Sequence, residues 1–232
     1  MAHYDIFRER LAMKYPAFGH ALWEPDSPVQ VGDVGFIREG RFERLFNALL
    51  PEDDRSQEFG VPEHYEPLVP SLSNHIYGGS LSPNNYCSGG VSVGADPGYH
   101  PPDDFRQVSF QHTRTRGAAV LSLPVLTRRE NTRAQGEFGK WIVKHIGSWF
   151  AFAQGLGMGI AGMEEIILVT GCDRTRSWTN IAFLGGQADA QVSFGVRVQG
   201  LDTNIHYQLL PELVRGAVIS QGPEGTVRLY AI

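Results

Sequence analysis

Apolar positions recur along this chain with two different periods, and the switches between them predict its elements. Near the N-terminus Tyr4, Phe7 and Leu11 stand at helical spacing with Ile6 beside them, which predicts a short helix over residues 3–14 ending before Pro16. The segment FGHALWEP reads as a strand stopped at Pro25. Residues 31–50 then read as a hairpin, with Val34 to Arg38, a turn at Glu39-Gly40, and Arg41 to Leu49. Phe42, Leu45 and Phe46 break strict alternation, so the second arm also admits a helical turn.

Residues 51–104 differ. Prolines and paired glycines punctuate almost every apolar run there, which predicts long irregular chain with one strand near Tyr86 to Val93. From residue 105 regularity returns. Val108, Phe110 and His112 alternate with polar neighbours as a half-buried strand, and AAVLSLP over 118–124 is a second strand stopped by Pro124. TRRENTRAQGE reads as a polar connector leading into a helix. On that helix Phe138, Trp141, Ile142, His145, Trp149 and Phe152 form one broad apolar face, with Lys140, Lys144, Ser148 and Gln154 largely opposite. GLGMGIAGM ends it, since each glycine costs helix stability about 1 kcal/mol relative to alanine.

IILVT over 166–170 lacks alternation and reads as a strand covered on both faces, pairing with Trp178 to Phe183 across a GCDRTRS turn. QVSFGVRVQ over 191–199 alternates, with Val192, Phe194, Val196 and Val198 inward, and IHYQLL and VRLYAI supply further strands. The expected class is α+β: a mostly antiparallel sheet of five to six strands with one main amphipathic helix on a face. Residues 1–50 form a small helix and hairpin lobe, 51–104 the irregular segment and 105–232 the core, together one compact domain.

Composition narrows the function classes. Net charge is −5, so no global field draws nucleic acid, and none is expected as a partner. Charge is uneven, however. Residues 1–66 carry 13 acidic and 7 basic side chains, whereas 106–144 carry 8 basic ones against Glu130 and Glu137. That stretch reads first as a solvated face, and alternatively as a surface for phosphates or an anionic membrane. Cys87 and Cys172 are the only cysteines, which fits two reduced thiols better than a disulfide framework. No h-region, no transmembrane-length apolar window and no glycosylation sequon occur, so a cytoplasmic setting is expected.

Strong catalytic motifs are absent from the sequence, and GLGMG follows a helix and precedes a strand, the wrong order for a phosphate cradle. No histidine pair stands at metal-ligand spacing, and no metal or cofactor is expected. The tip at 171–177 is the best local candidate. Asp173, Arg174 and Arg176, with Trp178 beside them, have the chemistry to hold an anionic ligand, and Cys172 beside Arg174 that of a nucleophile with His145 or His112 as base. The simpler reading is a hairpin loop with Asp173 in an Asx-turn and its arginines in water. His145 likewise reads first as helix packing. A second polar cluster, Ser82 to Ser88, lies on the proline-rich segment.

Several blocks taken in order, ALWEP at 21–25, VGDVGFIREGRFERLFNALL at 31–50, LSPNNYCS at 81–88, GAAVLSLP at 117–124, FGKWIVKHIGSWFAFA at 138–153 and ILVTGCDRTRSWTNIAF at 167–183, resemble a multi-copy family of proteins from mushroom-forming (basidiomycete) fungi with no known activity. The resemblance implies an intracellular fungal protein and transfers no functional residue. The ending QGPEGTVRLYAI is shorter than the family pattern, which places the last strand in question.

The leading functional expectation is a soluble intracellular binding or interaction module without catalytic activity, for a protein or small-molecule partner. The alternatives are a Cys/His-dependent hydrolase or transferase built on Cys172, and a membrane-active protein using 106–144.

Overall fold

The computed structural model describes residues 1–15, 19–25, 28–95, 105–114, 116–186, 190–199, 204–209 and 216–232. Helix α1 spans His3–Lys14 and buries Ile6, Phe7 and Leu11, as its spacing predicts. Strand β1, His20–Ala21, is brief, and β2, Asp33–Arg38, turns into β3, Arg41–Asn47. The turn is a two-residue loop with both residues left-handed, Glu39 at φ 51° and Gly40 at φ 81°. Glycine is required at 40 because a Cβ there would strike the Trp23 side chain and lie 3.0 Å from Cβ of Tyr4. The helical alternative for the second arm is thereby excluded.

The segment expected to be irregular contains three strands: β4, Ile76–Leu81, β5, Asn84–Cys87, and β6, Ser92–Ala95. The prolines of this segment lie outside these strands, and Gly78, Gly79 and Gly94 lie within edge strands, so no ladder bond is lost to proline. Then come β7, Phe105–His112, β8, Ala118–Leu123, and β9, Thr127–Thr132. The last falls where the sequence predicts a polar connector. It is a strand because β4 and the next long strand hydrogen-bond to its two edges and answer its charges. Helix α2, Gln135–Gly155, precedes β10, Ile167–Thr175, and β11, Trp178–Phe183. The chain closes with β12, Ala190–Gln199, β13, Asn204–Leu209, β14, Ala217–Gly222, and β15, Gly225–Ala231, so the last strand is formed.

The class is α+β and every strand pairing among the described residues is antiparallel. The strands are distributed over three sheets, not one of five or six. The largest runs β1-β15-β10-β2-β3, and β9 with β4 attaches to the far half of β10. The second runs β14-β11-β8-β5 and the third β13-β12-β7-β6. One expected pairing is corrected here: β10 and β11 do not form a hairpin. They part at Arg176-Ser177, β10 into the large sheet and β11 into the second. Thr175 marks the corner, its hydroxyl accepting from Ser177 N at 3.3 Å and donating to Ser177 O at 3.0 Å.

Strand β2 pairs with β10, so the β2–β3 hairpin is part of the main sheet, and helix α2 packs on it. Phe46 lies at its centre, edge-on to Trp149, Phe152 and Tyr65, each at 5.8 Å. Phe138, Trp149 and Ala153 are buried, while Trp141, Ile142, His145 and Phe152 of the expected face are only partly covered. Helix α1 covers the second sheet through Phe7 and Leu11 against Ala119, Leu121 and Trp178. The third sheet packs on that sheet's other side, Phe110 and Val192 meeting Val120, Ile181 and Phe183. Val192 is buried as expected, and the side chains of Phe194, Val196 and Val198 lie outside the described residues. No helix among the described residues is long and apolar enough to cross a membrane.

Candidate functional site

The densest chemistry lies where β9, β10 and β15 run side by side. Asp173 of β10 stands directly opposite Arg129 of β9 and Arg228 of β15, so one carboxylate meets a guanidinium on each flank. Arg129 donates through Nε at 2.7 Å and Nη2 at 3.0 Å, a bidentate clamp. Arg228 Nη2 is 2.5 Å from Oδ2, and the Tyr230 hydroxyl donates to the same oxygen at 3.1 Å. Asp173 is fully buried and Arg228 nearly so. The surplus positive charge is spread over aromatic faces, Arg228 lying 4.8 Å from the Tyr86 ring centre and Arg129 5.1 Å from that of Tyr230. Gly171 lets β9 approach, since a Cβ there would overlap the Asn131 side-chain oxygen. The Asp173 hydrogen bonds raise the Arg129 pKa, and burial pushes Tyr230 up to about 12, so both stay protonated.

The other face of β10 carries Cys172 and Arg174. Arg174 donates to the Val29 carbonyl through Nη2 at 2.5 Å and Nε at 3.2 Å, and pairs with Glu130 at 3.3 Å. The Cys172 thiol donates to the same carbonyl at 3.5 Å and is fully buried. Burial pushes its pKa up to about 11 despite the opposing pull of Arg174, so it is a packed thiol and not a thiolate. Asp173 and Arg174 are therefore not at a solvated turn. They sit inside a continuous strand whose neighbours satisfy them. Arg176 alone is exposed, and Trp178 is buried against Gly222 beneath α1.

The two histidines lie elsewhere. His112 is fully buried in β7, with Nε2 2.6 Å from the Arg116 carbonyl and its ring over Phe183. His145 stacks on Trp149 at 6.0 Å on α2, and burial with Lys144 nearby lowers its pKa. Neither hydrogen-bonds Cys172, and Cys87 belongs to the hydrophobic layer between the second and third sheets. The structure thus does not assemble Cys172, His145 and His112. Among the described residues no group of three metal-ligating side chains converges.

Two hollows remain. One, beside His145, is bounded by Ala48, Tyr65, Leu68 and Trp149 and at about 20 Å³ holds no more than a water. The other is a cleft of about 270 Å³ where α1, the residues after β1 and the β2–β3 tip meet, lined by His3, Tyr4, Glu24, Arg38, Glu39, Arg41 and Glu43. Its basic groups are engaged: Arg41 with Glu24, and Arg38 with the Met158 carbonyl and, at 4.8 Å, the Phe36 ring. Glu39 and Glu43 make no ion pair or side-chain hydrogen bond with a described residue. The sequence reading missed this cleft. Its one local signal is a glutamate in place of Asn, Asp or Gly at the first left-handed turn position.

Asp33 is a separate buried carboxylate. It accepts from Gln30 N at 2.7 Å and Asn47 Nδ2 at 2.9 Å, joining the start of β2 to the end of β3. Burial pushes its pKa up to about 6 against the opposing effect of those bonds and of Arg44 and Arg174.

Two outcomes are expected. In the native protein at neutral pH both thiols resist a maleimide and become labelled only after denaturation; rapid labelling of Cys172 in the folded state contradicts its placement. Asp33 has its folded pKa above its unfolded value, so its contribution to stability is full below about pH 4 and is lost as pH rises through about 6. A carboxyl carbon titration by NMR should place its midpoint near 6, and an ordinary value near 4 would refute the burial argument.

No protein-family model and no curated protein matches this chain.

Proposed function

We propose that the chain is a binding module that takes a cationic side chain, arginine or lysine, of a protein or peptide partner in the cleft at the β2–β3 tip. One observation carries this reading: Glu39 and Glu43 border the cleft without a cationic partner among the described residues, while the arginines beside them are engaged. Two carboxylates suit a guanidinium or ammonium group, and the Tyr4 ring adds an aromatic wall. Trp23 N and Glu24 N both donate to the Gly40 carbonyl, at 2.8 and 3.2 Å, and hold the tip against the β1 exit. The volume suits one side chain and is below that of a typical small-molecule pocket, about 300–1,000 Å³. Cys172 is buried, and neither His112 nor His145 hydrogen-bonds it, which favours recognition over the Cys/His alternative.

The test is an NMR titration of the whole protein with the tripeptides Gly-Arg-Gly, Gly-Lys-Gly and Gly-Glu-Gly. The cationic peptides should give saturable shifts at the His3, Glu39 and Gly40 amides, weakened about ten-fold or more by Glu39→Gln with Glu43→Gln, as expected for losing charge-assisted hydrogen bonds. Indifference to the cationic peptides, or equal response to Gly-Glu-Gly, overturns the reading. Turnover in a substrate screen that Cys172→Ala abolishes would replace it with the enzyme alternative.

A further inference from the structure

Among the described residues, strand β4 is the unprotected edge of the large sheet. It pairs only with β9 among the described strands, and from Ile76 to Ser80 every residue is exposed. The other edges of that sheet are blunted: β1 has only two residues, and β3 carries Arg41, Glu43 and Arg44. Strand β4 has neither a charge nor a proline, and residues 67–95 contain no Asp, Glu, Lys or Arg. An edge of this kind is a template for pairing.

The direction of its backbone follows from one bond. Arg133 N donates to the His75 carbonyl at 2.7 Å, which makes His75 and Arg133 a hydrogen-bonded pair. By antiparallel alternation Tyr77, Gly79 and Leu81 bond to β9, while Ile76, Gly78 and Ser80 turn their N–H and C=O groups outward. Gly78 and Gly79 leave both faces at the middle of the edge bare, so a neighbouring backbone can approach.

The charge around the edge selects its occupant. The Arg133 guanidinium lies 5.3 Å from the Tyr77 ring centre, above β4 itself, and pairs with no carboxylate among the described residues. Arg128, opposite Ser80 on β9, is largely exposed. Glu130 is neutralised between Arg128 and Arg174. An added strand therefore meets positive charge at each end and an uncharged middle.

We propose that β4 docks an extended acidic peptide segment of a partner protein by strand addition, main-chain bonds to Ile76, Gly78 and Ser80 supplying affinity and carboxylates facing Arg133 and Arg128 supplying selectivity. This surface is separate from the cleft and does not rest on it.

The experiment is amide hydrogen exchange on the whole protein with two soluble probes, an acetylated octapeptide of alternating valine and glutamate and its valine–lysine counterpart. The glutamate peptide should slow exchange at Gly78 and Ser80 about ten-fold or more, as new hydrogen bonds protect amides, and the lysine peptide should not. Gly78→Pro should abolish the effect without loss of a β9 ladder bond; Ser80→Pro, which blocks another outward amide, serves if that variant does not fold. Arg133→Glu should reverse the preference between the two peptides, and Glu39→Gln with Glu43→Gln should leave it unchanged. No slowing with either peptide, or equal slowing with both, overturns the proposal. So does slowing that grows with protein concentration in the absence of peptide, which would assign the edge to a second copy of the chain.

Discussion

The junction of β9, β10 and β15 depends on holding one carboxylate, Asp173, out of water between two arginines. Removing such a charge from solvent costs several kcal/mol, and only good geometry with every acceptor position occupied offsets it. Here the geometry comes from strand register. Arg129 and Arg228 are the direct cross-strand neighbours of Asp173, so a slip of one residue in β9 or β15 would turn a guanidinium to the opposite face and strand the carboxylate. The network therefore specifies register as well as contributing energy. It also explains how β9, a strand of Thr, Arg, Glu and Asn, joins a sheet at all: Arg129 is answered by Asp173, and Glu130 by Arg174.

That constraint shapes the functional account. The tip that looked chemically rich in the sequence is rich because it is structural. Asp173 holds β9 and β15, and Arg174 holds the chain at Val29, with Cys172 packed beneath the same carbonyl. A group whose hydrogen bonds are already made to its own protein has little left for a substrate. Unspent chemistry lies instead on the margins, in the carboxylates at the β2–β3 tip and the bare backbone of β4. Both suit the binding roles proposed above.

Much of the fold is legible in the residues. Period and punctuation locate α1, the β2–β3 hairpin, β8, α2 and the C-terminal strands, because each has an apolar face to bury. What escapes is whatever does not have one. Strand β9 is polar, and β4 is exposed on both faces, so neither carries an alternation signal. The partition into three sheets is a matter of long-range pairing: Trp178 looks equally able to return along β10 or to cross to β8. The ion network is not legible in the residues. Arg228 within the apolar run Thr226 to Leu229 is the kind of anomaly that marks a buried partner, but sequence does not say that the partner is Asp173.

The central claim is that Asp173 neutralises arginines the sheet cannot otherwise bury, and a double-mutant cycle on chemical denaturation tests it most directly. Asp173→Leu alone removes the carboxylate from between two guanidinium groups, the nearly buried Arg228 among them, and should cost about 3–5 kcal/mol. Asp173→Leu combined with Arg228→Met also removes the buried positive charge that Asp173 faces, so the pair should be less destabilised than Asp173→Leu by itself. If Asp173→Leu costs under about 1 kcal/mol, within the range of an exposed ion pair, or if the two substitutions simply add, the carboxylate does not hold the sheet together and the account fails.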